Sequence, residues 1–251
     1  CSSVSRVPRI HTAQRLSAHS RVELAAGPSQ HLSRSLRMGP GASLVLFDGS
    51  GGEDPATIVD AGRRSVMVET GEHRPVETES PLAIHLGIAV SRGERMDWIV
   101  QKATELGVST LSPLTSERTE VRLQGERAAR KQRHWREIAI SACEQCGRNR
   151  VPQIQPLTSL AEWVGSVSAE RKFVLHHRAG PPGQAQGDPH SVALLVGPEG
   201  GLTAAEIERA GLCRFTPLRL GARVMRTETA PVAAIAILQS RWGDMGLGSL
   251  A

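Results

Sequence analysis

The chain has 251 residues, 39% hydrophobic and 22% charged, long enough to bury a full core without a disulfide or metal staple. It has no run of about 18 apolar residues to span a bilayer, and its opening, CSSVSRVPRIHT, lacks the apolar stretch of a secretory signal. The expectation is therefore a cytoplasmic protein. The net charge of +5 is unevenly placed: residues 1–47 hold six arginines against Glu23, residues 48–80 hold eight acids against Arg63, Arg64 and Arg74, and residues 117–150 hold nine basic residues against five acids. Two separated basic blocks suit a protein that meets a phosphate backbone. An arginine-rich genome would produce the same bias, since Lys102, Lys131 and Lys172 are the only lysines.

In chain order, residues 30–37 carry leucines at helical spacing, with Arg34 and Arg37 on the polar side. The Gly39-Pro40-Gly41 turn leads into a strand over 42–47. Asp48–Gly52 reads as a hairpin-type connection, and residues 56–60 and 65–69 alternate as strands across Gly62. These short strands predict a small β-barrel over 1–76, and residues 74–81 read as a linker. Beyond Pro81 strands and helices alternate: strands at 82–90, 110–114, 172–176, 192–196 and 215–220, with helices at 94–106, 126–146, 159–164, 203–210 and 231–242. That order predicts a parallel sheet flanked by helices over 82–251.

Two strand-end loops hold polar groups suited to chemistry. In the first, the apolar strand Leu194-Leu195-Val196 runs into Gly197-Pro198-Glu199-Gly200-Gly201, then into a helix opened by a Thr203/Glu206 capping box. In open α/β sheets ligands bind beyond such strand ends. A tight turn with no ligand would look the same. The G-x-G-x-x-G and Gly-Lys-Ser/Thr signatures are missing, and Glu199 would repel a phosphate, so a ligand with hydroxyls, ring nitrogens and a positive centre suits the loop better. The second loop runs from Leu218 through Arg219, Leu220, Gly221, Arg223, Val224, Met225, Arg226, Thr227, Glu228 and Thr229 to Ala230. Here Thr227 or Thr229 serves either a ligand or the cap of the last helix, and Arg226 with Glu228 is either reactive or a surface ion pair. Cys143 and Cys146 form a C-x-x-C, but inside a helical run and without matching ligands elsewhere, so no metal is expected.

These residues carry a resemblance. Arg6-Val7-Pro8-Arg9, Leu36–Gly41, Leu46-Phe47-Asp48-Gly49, Ser91–Met96, Gln101–Val108, Ser116-Glu117-Arg118, Cys143–Arg148, the glycine loop and Arg226-Thr227-Glu228-Thr229 resemble, over nearly the whole chain, the RsmE-type 16S rRNA uridine-N3 methyltransferases of the SPOUT superfamily. The chain departs from many relatives at Ala222, where they carry proline. The resemblance implies a PUA-like N-terminal barrel, a C-terminal domain with a deep trefoil knot, and a homodimer. It also implies S-adenosylmethionine as cofactor and 16S rRNA or the small ribosomal subunit as partner. Cofactor binding is expected at His176, Gly197, Glu199, Gly200, Leu220, Gly221, Val224, Met225 and Arg226. For the reaction itself, Arg226 is expected to stabilise charge on the uracil, and Glu228 to orient Arg226 or accept the N3 proton. Arg9, Arg34, Arg37, Arg148 and Asn149 are the expected RNA contacts. Without tyrosine and with only three Phe and four Trp, stacking on single strands is poorly supplied, which favours recognition of folded RNA by shape. A noncatalytic RNA-binding protein would keep the basic blocks without needing both polar loops. A nucleotide-binding enzyme would want a lysine or an open helix terminus near Gly197.

Overall fold

The computed structural model describes residues 7–62, 65–177 and 187–246. They form two units: residues up to Glu79 together with Cys143–Val151, and Ser80–Ala142 together with Pro152 onward. The second unit therefore lacks the segment Cys143–Val151, which a simple split near residue 80 had assigned to it.

In the first unit, strands β1 (Arg9–His11), β2 (Arg21–Glu23), β3 (Ser43–Phe47), β4 (Asp54–Ala61) and β5 (Val66–Thr70) make one sheet in the order β1-β3-β4-β5-β2. All pairs are antiparallel except β1 with β3. The alternation in β4 and β5 sends Ile58, Val66 and Val68 inward, where they join Ile10, Leu44, Leu46 and Leu32 in one apolar cluster. Leu32 comes from the expected helical stretch, which is a short helix α1 (Ala26–Gln30) continued by a π-helical turn, His31–Ser35. The stretch read as a linker is strapped down. Arg74 pairs with Glu53, the Val76 carbonyl accepts from Asn149 Nδ2 at 2.7 Å, and Glu79 binds Arg148.

In the second unit, β6 (Ala83–Ala89), β7 (Thr110–Thr115), β8 (Gln153–Ile154), β9 (Thr158–Ser159), β10 (Arg171–Leu175), β11 (Ser191–Val196) and β12 (Thr216–Leu218) form a seven-stranded sheet. Its order is β12-β10-β11-β6-β7-β8, with β9 also on β7, and every pair is parallel. The intervening helices are α2 (Arg95–Glu105), α3 (Gly125–Cys146), α4 (Leu160–Ser166), α5 (Ala204–Leu212) and α6 (Thr229–Trp242). β11 is buried from Val192 to Val196, as a central strand covered on both faces requires. The strand expected over 215–220 is only Thr216–Leu218, because it pairs on one side alone, with β10.

Two contacts set the layers. Leu160, Trp163 and Val164 of α4 pack with Val174, Ala193, Leu195 and Phe215. Trp163 also lies across β6, where a Cβ on Gly87 would stand 2.5 Å from its ring. Gly87→Ala is accordingly expected to destabilise the fold by about 1–3 kcal/mol, since the ring is boxed in and cannot retreat; the midpoint of denaturant unfolding measures this. On another face α2 meets α6, and Gln239, wholly buried, donates to the Leu106 carbonyl at 2.9 Å and accepts from Ser80 Oγ at 2.6 Å. No helix among the described residues is long and apolar enough to cross a membrane.

Candidate active site

Strands β10, β11 and β12 are neighbours and parallel, so their carboxyl ends, at Leu175, Val196 and Leu218, release three loops on one edge of the sheet. A cavity of about 230 Å³ lies there. The first loop is shaped locally. Gly201 N–H closes a turn onto the Pro198 carbonyl at 2.8 Å, with φ +71° at Gly201, a conformation open to glycine at little cost. Thr203 then caps α5, accepting from Glu206 N–H at 3.2 Å while Glu206 accepts from Thr203 N–H at 2.8 Å. The other Glu206 oxygen accepts from Glu117 N–H at 2.9 Å, and Arg118 donates to the Gly200 carbonyl at 2.8 Å. The expected capping box is thus present, and it also bolts the 116–118 loop onto the glycine loop.

The second loop follows β12. Gly221 has φ +108° with open space where a Cβ would be. The α6 helix starts at Thr229 after Glu228, with no side-chain cap bond, so neither Thr227 nor Thr229 is used as a cap. His176, just past β10, continues the ladder through its N–H to the Leu218 carbonyl at 3.0 Å, and its ring stands 5.4 Å from that of His177.

Of the residues expected to hold a cofactor, His176, Gly197, Gly200, Leu220, Gly221, Val224 and Met225 line this single cavity. Glu199 and Arg226 are not in its lining. Glu199 instead accepts from Arg95 Nη1 at 2.9 Å and from Arg92 N–H at 3.3 Å. Burial alone would push its carboxyl up, but hydrogen bonds from its own and the Arg92 backbone amides and from the Arg95 guanidinium outweigh this and hold it below the usual value. Its charge is therefore spoken for, and it is not what keeps a phosphate away. Glu206, at the start of α5, adds a second carboxylate there, with its oxygens accepting from the Thr203 and Glu117 amides.

Arg226 is exposed and, among the described residues, its side chain makes no hydrogen bond or ion pair. Glu228, half-buried, does not orient Arg226 as expected; its cation is Arg95, at 3.9 Å. Arg95 thus meets a carboxylate from each loop. Sequence reading gave this residue no role, nor Arg118 and His177 in the cavity lining, while Arg219 and Arg223 lay in the second polar loop without being named as cofactor contacts. The signal was in hand: Ser91–Met96 and Ser116–Arg118 follow β6 and β7, on the same edge of the same sheet.

Three expected RNA contacts are corrected. The Arg148 side chain is 5% exposed and forked onto Glu79, with Nε at 2.9 Å from Oε1 and Nη2 at 2.7 Å from Oε2. Asn149 is fully buried. Arg9 donates to Glu53, the Arg148 carbonyl and Asn149 Oδ1, and lies over the Phe47 ring. These groups are consumed within the first unit and offer nothing to a phosphate. Arg34 and Arg37 are exposed. The C-x-x-C is the last turn of α3, where burial pushes the Cys143 thiol up to about 12 and Sγ lies 3.6 Å from the Arg150 carbonyl. Among the described residues, no group of three or more His, Cys, Asp or Glu is placed to hold a metal ion.

A parallel sheet with a cleft at its carboxyl edge, joined to a small β unit, corresponds to known families. Residues 78–239 match the RNA methyltransferase domain and residues 29–70 the RNA methyltransferase PUA domain, which places the chain among SPOUT-class RNA methyltransferases. Ribosomal RNA small subunit methyltransferase E of Buchnera aphidicola (Schizaphis graminum) is 33% identical, over 96% of this chain and 98% of that protein. The protein of the same name from Bacillus subtilis is 29% identical, over 83% and 85%. The solved structure of the Neisseria gonorrhoeae enzyme of that name, bound to S-adenosyl methionine, has a TM-score of 0.89 at 39% identity and covers 95% of this chain and 99% of its own. A Legionella pneumophila methyltransferase solved with bound SAM gives 0.90 at 38%, covering 96% and 100%. The chain belongs to the ribosomal RNA small subunit methyltransferase E family.

Proposed function

We propose that this chain methylates N3 of a specific uridine in 16S rRNA, using S-adenosylmethionine held in the cleft at the ends of β10, β11 and β12. The observation that carries the reading is the convergence of two loops of unlike sequence, the glycine loop and the Arg-Thr-Glu-Thr loop, on one cleft. The residues fit the cofactor. Leu175, Val196, Leu202, Leu218 and Leu220 supply apolar walls for an adenine ring. Gly197, Gly200 and Gly221 leave backbone groups bare, and the exposed guanidinium groups of Arg219 and Arg223 suit an amino-acid carboxylate.

Bound there, S-adenosylmethionine supplies an electrophilic methyl group on a sulfonium. The protein's task is to position the uracil, exclude water and manage one proton. Arg226, a cation with no internal partner among the described residues, stabilises the negative charge that spreads to O2 and O4 as N3 loses its proton. Glu228, beside Arg95, accepts that proton. Arg34 and Arg37 stay with the RNA-contact reading, through phosphates. The same reading carries the trefoil knot, a cytoplasmic location and a homodimer, the last supported by apolar surface at Trp98 of α2 and Ile237 of α6, 41% and 50% exposed.

The test is to map methyl-dependent reverse-transcription stops across 16S rRNA from cells with and without the protein, alongside calorimetry with S-adenosylmethionine. One stop that depends on the protein and one cofactor site per chain are expected. Cofactor binding with an unchanged 16S stop pattern would reassign the substrate, and RNA binding with no cofactor binding would favour a noncatalytic assembly protein.

A further inference from the structure

We propose that the N-terminal half of α3 is a phosphate-binding strip through which the second unit grips ribosomal RNA beside the cleft. The identity of the RNA rests on the methyltransferase reading above; the strip itself rests on geometry.

At 3.6 residues per turn, Ala128, Gln132, Trp135, Ala139 and Ala142 share one face of α3, and each of them is buried or half-buried. The adjoining arc holds Arg127, Arg130, Lys131 and His134. Arg127, Arg130 and Lys131 are exposed and, among the described residues, their side chains make no hydrogen bond or ion pair. The nearby acid is taken, since Glu126 binds Arg133 at 2.9 Å. Such an arrangement costs the helix stability. Like charges three and four residues apart repel, and Arg127, in the first turn, faces the unfavourable end of the helix dipole. A surface that tolerates both without an internal carboxylate is suited to an external anion.

The arc is also placed beside the reaction. His134 Nε2 lies 2.7 Å from Asp97 Oδ2, and Trp135 Nε1 donates to Asp97 Oδ1 at 3.1 Å. Asp97 belongs to the first turn of α2, the turn whose Arg95 holds Glu199 and approaches Glu228. The three cations therefore sit on the helix that His134 and Trp135 anchor to the turn that gathers both loops. Their spacing, roughly 5–6 Å between Cβ atoms three and four residues apart, is close to the step between neighbouring phosphates on a strand. An acidic protein would meet the same charges, but adjacency to an RNA-methylating cleft favours RNA.

The test uses the full chain with Arg127, Arg130 and Lys131 all changed to alanine, and small-subunit rRNA binding measured against salt concentration. The expected result is a salt slope lower by about 2, from three contacts at roughly 0.7 each, with cofactor affinity unchanged. Each single alanine variant should lower the slope by about 0.7, which keeps the test sound if the triple variant folds poorly. Arg127→Lys with Arg130→Lys should retain the slope. A triple variant with wild-type affinity and slope overturns the strip, as does a lysine variant that binds as weakly as the triple. Because binding is read directly, the two readings fail separately. A wild-type slope in a triple variant that still methylates rejects the strip alone. A lost slope, in a chain that never methylates 16S rRNA, rejects the enzymatic reading alone.

Discussion

Arg148→Ala is expected to lower the stability of the protein by about 3 kcal/mol, the lower end for breaking a buried ion pair by removing one partner. The lower end applies because the Glu79 side chain is 23% exposed, so some of its lost partner is replaced by water. The substitution strips a two-pronged contact from Glu79 and loosens the turn that presents the Arg148 carbonyl to Arg9. Chemical denaturation measures the loss. Had Arg148 been an RNA contact, the same change would leave unfolding untouched and weaken rRNA binding instead. The double variant Arg148→Met with Glu79→Leu should recover much of the loss, since replacing both charges by apolar groups removes the stranded carboxylate.

The other large effect is expected in the reaction. Arg226→Lys keeps a cation but loses the planar fork of donors, and loss of a preorganised donor of this kind costs on the order of 3 kcal/mol, about a hundredfold in rate. Glu228→Gln should produce a comparable fall if its carboxylate takes the proton. Both variants should retain cofactor affinity, because neither residue lines the cleft. The measurement is methyl transfer at saturating rRNA, paired with calorimetric S-adenosylmethionine binding. Tenfold weaker cofactor binding with the rate intact would move the pair into the cofactor site and leave the N3 proton to water. Because Arg95 meets Glu228 and Glu199 alike, Arg95→Ala variants belong in the same series as a positional control.

What could be read from the sequence was what is encoded locally. The Thr203/Glu206 box lies within four residues, and the alternation of β4 and β5 and the apolar run of β11 need no distant partner. The seven cleft residues were identified through resemblance to a family, and their meeting follows from three adjacent parallel strands ending on one edge. What escaped was set by distant pairing. Nothing local distinguishes Arg9 or Arg148, which are spent inside the fold, from Arg127 or Arg130, which are not. Arg9 meets Asn149 across 140 positions and Arg148 meets Glu79 across 69. Glu199 looked like a ligand-facing acid because its neutralising partner, Arg95, is 104 positions away. β1 and β2, at three residues each, are too short to show alternation and exist because β3 and β5 offer them edges.

The membership of Cys143–Val151 in the first unit sets an order of events at the ribosome. The sheet residues are all synthesised by Thr70, yet the Arg9 side chain waits for the Arg148 carbonyl and Asn149, and the His11 amide for Glu144. Translation from Glu79 to Val151 takes on the order of 10 s at roughly 5–20 residues per second. During that interval the nascent N-terminal unit has its strands but not its clasp. A fragment ending at the apparent linker would lack the Arg148 carbonyl, Asn149 and Glu144 that these groups meet.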